Sequence, residues 1–199
     1  MKISFVNKTI IILLLSFLFL RCNFNDKISK GDEVENDSII LLIDSSKNAS
    51  LTYKDRKQFL MKAYNTLNYN YDSTAKNLSK IAYQFLRLKD TARFLEINSQ
   101  AQKLALKQKD TFSIADTHWN IANYFKHGEE FDSAYYHYNK AYQYFDAIDE
   151  KYDAAKMLYG LADIKGHYKD YAGSEILITR AISKFKELKK YKSLYASYN

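Results

Sequence analysis

Proline is absent from this 199-residue chain, cysteine and tryptophan each occur once, and there are five glycines. Each scarcity excludes something. A lone cysteine, Cys22, forbids an intrachain disulfide and any paired-cysteine metal or redox motif. Gly31, Gly128, Gly160, Gly166 and Gly173 never assemble a phosphate-cradling loop or a nucleophile elbow. No HExxH motif and no calcium loop occurs, so the chain carries no enzyme signature and implies no cofactor. Charge of one sign is scarce too. Of the 30 lysines and arginines, Lys2, Lys8 and Arg21 fall in the first 22 residues, where there is no acid, which leaves 27 against 23 acids elsewhere. That small and interleaved excess argues against nucleic acid as a partner.

What the chain does have is apolar and aromatic surface. Hydrophobic residues make up 47% and aromatics 16%, with eighteen tyrosines. This is enough for the core of one domain, and suits a helical stack of buried rings with wet phenol ends. The stretch Phe131 to Phe145 shows the pattern most clearly. Phe131, Tyr138, Tyr142 and Phe145 recur at helical spacing around small Ala134 and Ala141, which predicts a helix that a second helix can approach closely.

The same pattern returns 40 residues away on either side. Ile81-Ala82, Ile121-Ala122 and Leu161-Ala162 align, as do Ala101, Ala141 and Ala181. The breaks Lys89-Asp90, Glu129-Glu130 and Lys169-Asp170 align as well. Phe85 matches Phe125, although Lys165 interrupts that column, while Phe145 matches Phe185. A period of this length built from two helices predicts a solenoid whose units bury their faces against their neighbours. The predicted helices run from about residue 73 to Arg87 and from Thr91 to about Leu106. Further on they are Thr111 to His127, Phe131 to Ile148, Lys151 to His167 and Tyr171 to Leu188. Asp72-Ser73 and Asp90-Thr91 are candidate caps.

These residues resemble the tetratricopeptide repeat (TPR) family. The first-helix pair is Ile121-Ala122 with Phe125, and the second-helix series is Phe131, Ala134, Tyr138 and Ala141. The next unit gives Leu161-Ala162, then Tyr171, Ser174, Ile178 and Ala181. In the preceding unit Phe94 and Asn98 fit the second helix poorly. The usual repeat is 34 residues long and often ends in proline, whereas this one is 40 long and has none. The resemblance implies an all-α fold, a right-handed solenoid of antiparallel helix pairs, over 72–199. Its units would be 72–110, 111–150, 151–190 and a truncated 191–199. Residues 38–70 read as degenerate capping helices, the second of them Leu51 to Leu67 with Ser50 as its N-cap. Tyr191 to Asn199 begins a further first helix on an apolar, aromatic end. Solenoids normally finish in a polar cap, so the chain is expected to be a truncated form of a longer protein, a native terminus being the alternative.

The N-terminus reads as an export signal, 1–22. Thr9 to Leu20 is a 12-residue apolar run, about 18 Å as a helix against a hydrocarbon core of about 30 Å. That suits a signal core rather than a membrane span. Cys22 directly follows it. This placement resembles the lipobox of bacterial lipoproteins, where the cysteine is acylated and becomes the mature N-terminus, although Arg21 stands where that family has a small residue. The resemblance implies lipidation at Cys22 and an exported protein, membrane-anchored and facing the periplasm or cell surface. A free cysteine after an uncleaved anchor is the alternative. Residues 23–37 are polar and charged, a flexible tether.

For function, the four histidines are first weighed as metal ligands. His127 and His167 recur one repeat apart, too far to share a zinc ion, and read as surface residues. His118 and His137 read as ordinary packing beside aromatics. The TPR resemblance implies instead a peptide-binding groove on the concave face, lined by first-helix residues. Matching positions are Ser79, Tyr83 and Arg87; Trp119, Asn123, Lys126 and His127; and Tyr159, Asp163 and His167. Trp119 is either a binding anchor or a ring packed between neighbouring first helices. The expected function is a non-catalytic scaffold for a protein or peptide, tethered to a membrane. The longer repeat also resembles the extracytoplasmic TPR regions of bacterial signalling proteins, which implies a sensor fragment of a histidine kinase or helix-turn-helix regulator as the alternative. An enzyme with an unrecognised site is the remote third.

Overall fold

The computed structural model describes residues 36–189. The leader with Cys22, nearly all of the tether and the stretch 190–199 lie outside the described residues. Within them there are eight helices and no strand. They are α1 (36–46), α2 (Tyr53–Thr66), α3 (Thr74–Arg87), α4 (Thr91–Gln108), α5 (Thr111–His127), α6 (Phe131–Ala147), α7 (Lys151–His167) and α8 (Tyr171–Glu187). Asn36 and Asp37, read as the end of the tether, already belong to α1.

The periodicity has a local cause at the turns. Lys89, Lys109, Glu129, Asp149, Lys169 and Lys189 all sit at positive φ, between 53° and 61°, so a left-handed residue recurs every twentieth position. Lys109 is the C-cap of α4 and the other five each follow a C-cap, where the left-handed conformation lets two amides turn back onto the last carbonyls. Lys89 N donates to Leu86 O and Asp90 N to Phe85 O; Glu129 N donates to Lys126 O and Glu130 N to Phe125 O. This is the Schellman pattern. The residue that closes it is at once the N-cap of the next helix. Asp90, Asp110 and Asp170 complete that second task by accepting the amides of Arg93, Ser113 and Gly173. Glu130 and Glu150 stand at the same place without a side-chain cap bond. Glycine is the residue that best tolerates positive φ, yet none of these six positions has it. At α2 the expected cap, Ser50, is displaced by Thr52, whose hydroxyl accepts from Asp55 N. Ser73 does precede α3, in helical conformation and with no side-chain cap bond.

From α3 onward, connections of two or three residues make successive helices antiparallel. α3 packs on α4, α5 on α6 and α7 on α8, and the pairs dock through α4–α5, α3–α5 and α6–α7. Tertiary hydrogen bonds reach about one repeat along the chain: Ser79 to Asp116, Gln108 to Tyr71, Lys151 to Glu187 and Arg180 to Tyr142. The chain is therefore an all-α solenoid in which each unit meets only its neighbours.

The aligned small residues are the contact points. Ala82, Ala122, Ala101, Ala141 and Ala181 are wholly buried, as are Phe85, Phe94 and Phe145. Each of these phenylalanines contributes about 1.5–3 kcal/mol by leaving water. The tightest approach is at Gly160 of α7. A Cβ there would lie 2.7 Å from the ring of Tyr138 on α6. Glycine is required because the ring occupies the space. Among the described residues no helix is long and apolar enough to cross a membrane.

Candidate binding cleft

Along α3, Lys76, Lys80, Tyr83 and Arg87 fall four, three and four residues apart, so they form one stripe down the helix. The stripe faces a cavity of about 410 Å³ between α1, α3 and α5. α1 contributes Ile40, Ile43 and Asp44, the turn after it Lys47, and α5 contributes Phe112, Asp116, Trp119 and Asn120. Helix α1 was expected only to cap the stack; it forms one wall of the cleft.

The floor of this cleft is polar and buried. Ser79 Oγ donates to Asp116 Oδ2 at 2.6 Å, and Asn120 Nδ2 donates to Ser79 O, Ser79 Oγ and Asn98 Oδ1 at 2.9–3.0 Å. Asn98 Nδ2 in turn reaches Thr117 O. The network ties α3, α4 and α5 together, and it explains why Asn98 breaks the repeat pattern: it fills that slot with hydrogen bonds rather than with bulk. Ser79 is accordingly a correction to the expected groove lining, since it is fully buried. Burial pushes the Asp116 carboxyl above its ordinary range, with Ser79 and then Lys156 acting against that.

Above the floor the Tyr83 and Trp119 rings stack, 5.1 Å apart and inclined by 24°. Lys156 of α7 places its ammonium 3.8 Å from the Trp119 ring centre, while pairing with Asp153 at 2.8 Å. Trp119 is thus held between the two flanking first helices, α3 and α7, and lines the cleft as well. Both of its expected settings occur together. Of the cleft cations, Lys47 pairs with Asp44 and Lys76 lies 4.5 Å over the Phe112 ring. Lys76, Lys80 and Arg87 appear in no ion pair among the described residues. Burial first, and then the neighbouring charge of Lys76, lower the pKa of Lys80.

The remaining expected groove residues divide. Asn123 is spent inside the fold, donating to Trp119 O and accepting from the Tyr138 hydroxyl, both at 2.9 Å. Lys126 and Asp163 pair with each other across α5 and α7. Arg87 and His127 meet at a second depression of about 630 Å³ beside the turn after α3. Tyr159 is exposed, and His167 stacks on Phe131 with centroids 4.4 Å apart. Neither cavity is lined by Tyr159, Asp163 or His167. The expected residues that gather at the α1–α3–α5 cleft are Tyr83, Arg87 and Trp119. Lys76, Lys80, Asp116 and Asn120 escaped the sequence reading, although the α3 spacing of the two lysines was a usable signal.

A second grouping was also missed. His118 of α5 and His137 of α6 meet through their Nδ1 atoms at 2.9 Å, flanked by the Tyr144 and Phe125 rings. Burial chiefly, then His137 and Lys140, draws His118 down to about 4, and burial lowers His137 too. No group of three metal-ligating side chains occurs among the described residues.

No protein-family model matches the chain, and no curated protein sequence matches it. Solved structures do. Aspartyl phosphate phosphatase F from Bacillus subtilis superposes over 92% of this chain with a TM-score of 0.68 and 20% identity. The fold is a TPR-like helical repeat. BtubC from P. vanneervenii covers 86% of the chain with a TM-score of 0.59 and 14% identity. The chain spans 48% of the length of the first protein and 83% of the second. At these identities the likeness concerns the repeat architecture. Fold alone does not fix activity.

Proposed function

We propose that this repeat chain is a non-catalytic scaffold that binds a protein partner through an extended segment laid in the α1–α3–α5 cleft. One observation carries the reading: a row of polar and aromatic side chains, Lys76, Lys80, Tyr83 and Arg87, whose cations enter no ion pair among the described residues, faces an open cavity of about 410 Å³. A segment in that position would meet side chains from three successive first helices, the arrangement a helical-repeat binding face uses. Of the two carboxylates lining the cleft, Asp44 is paired with Lys47 and Asp116 turns inward to Ser79, so no acid, base and nucleophile converge there. The Bacillus subtilis protein is a phosphatase; that activity is not part of the proposal.

Full-length protein panned against a random peptide library should yield ligands that bind Tyr83→Ala/Arg87→Ala at least about tenfold more weakly, with helicity unchanged by circular dichroism. Ligands that bind this variant and the wild type equally would remove the cleft as the binding face. We further propose that lipid on Cys22 holds the scaffold on the outer side of a membrane, which the apolar run Thr9 to Leu20 ending at the single cysteine supports. Mass spectrometry of the membrane fraction tests this, and an unmodified Cys22 or a retained Met1 overturns it.

A further inference from the structure

The cleft's charge and dimensions say more about what it takes. Four cations, Lys47, Lys76, Lys80 and Arg87, line it against two carboxylates. After the Lys47–Asp44 pair and the inward turn of Asp116 onto Ser79, the cations of α3 remain for a ligand. Lys76, Lys80 and Arg87 lie along one face of a single helix. At about 1.5 Å per residue, Lys76 to Lys80 covers about 6 Å and Lys80 to Arg87 about 10 Å. An extended chain advances about 3.3 Å per residue. Side chains of such a chain alternate between its faces, so acidic residues two and then four apart share one face and span about 7 Å and 13 Å, the second within the reach of the long Arg87 side chain.

We propose that the cleft binds an extended acidic segment of a partner protein, about seven residues long, whose carboxylates share one face along α3 as Glu-x-Glu-x-x-x-Glu or its reverse. This rests on the scaffold reading above and names the partner's chemistry. The middle of such a segment crosses the Tyr83–Trp119 pair, where apolar or aromatic side chains find a surface. Lys80 is half-buried, and an ion pair formed there is screened less than one on open surface. The aromatic arrangement disfavours a nucleic acid strand. Base stacking needs a free ring face, and Trp119 is engaged by Tyr83 from α3 and by Lys156 from α7.

Because Trp119 is the only tryptophan, its fluorescence reports on this cleft directly. The full chain in detergent is titrated with the two acidic heptapeptides, with their Gln-for-Glu counterparts and with a single-stranded oligonucleotide. The expected result is a saturable change with one acidic peptide, at least about tenfold stronger than with its Gln counterpart and weakened in high salt. Lys80→Gln and Arg87→Gln should each weaken binding about fivefold or more, while Lys103→Gln, on α4 and away from the cleft, leaves it unchanged. Equal binding of acidic and Gln peptides overturns the acidic class and leaves the scaffold standing. So does failure of both peptides if library-selected ligands still depend on Tyr83. Absence of any selected ligand sinks the scaffold reading itself. Tighter, salt-sensitive binding of the oligonucleotide, lost in Lys80→Gln, replaces the protein partner with a nucleic acid.

Discussion

The two junctions between successive repeats use the same positions with opposite chemistry. Where the first repeat meets the second, Asn98 bonds to Asn120; forty residues on, the corresponding pair is Tyr138 against Gly160. Likewise the Ser79–Asp116 hydrogen bond becomes the Trp119–Lys156 cation–π contact. One junction is closed by a polar network of small side chains, the other by a large ring seated on a bare backbone, its phenol anchored on Asn123. The backbone geometry of a repeat therefore fixes which positions meet and leaves open how they are joined. It also explains where the cleft lies. Small Ser79 leaves room above α3 and α5, whereas large Trp119 fills the equivalent space one unit later.

Gly160→Ala should disturb this most. Its Cβ would collide with a ring that is 3% exposed and closely surrounded. The expected loss is about 1–3 kcal/mol, despite the better helix propensity of alanine. Chemical denaturation measures it, and unchanged stability would mean that the α6–α7 approach is looser than drawn. The sharper version transplants one junction into the other. Tyr138→Asn with Gly160→Asn should cost less than the sum of the single changes, a coupling read from a double-mutant cycle. At the polar junction, Asn98→Ala removes the buried hydrogen bonds of Asn98 with Asn120 and Thr117, at a cost of about 1–3 kcal/mol. Tyr138→Phe removes one hydrogen bond and should cost about 0.5–1.5 kcal/mol.

Acid gives a third handle. His118 and His137 have folded pKa values below the ordinary 6.5, so the unfolded chain binds protons more readily. Their contribution to stability is complete above pH 6.5 and is lost as the pH falls towards about 4. Asp116, raised by burial, works in the opposite sense, so the comparison needs a variant. His118→Gln should lower the melting temperature less between pH 7.5 and 5 than the wild type does; an equal drop would exclude the pair. The smallest effect expected is a gain. Glu129→Gly relieves a left-handed glutamate and should add about 0.5–1 kcal/mol, detectable as a raised denaturation midpoint.

Much of the fold was legible beforehand because the information was local. α5 and α7 end at the expected residues, since their apolar stripes and turn positions repeat in register. The caps were read less well: Ser50 and Thr52 are equally suitable residue types two positions apart, and only the path of the chain selects between them. The cleft was half legible. Tyr83, Arg87 and Trp119 came from matching positions, but Ser79 was misplaced because its exposure depends on Asp116 and Asn120, which lie on another helix. The histidine pair was illegible for the same reason. His118 and His137 face one another across an antiparallel hairpin, and neither residue alone signals the other.

The left-handed residue at every twentieth position has a mechanical consequence. A stack whose tertiary contacts reach only one repeat along the chain has no distant clasp to break. Pulled by its two ends, it should lengthen in a staircase, with each helix pair releasing forty residues, or about 13–14 nm of contour. The steps should be equal in length because the turns are equally spaced, and unequal in force because the junctions are not chemically alike.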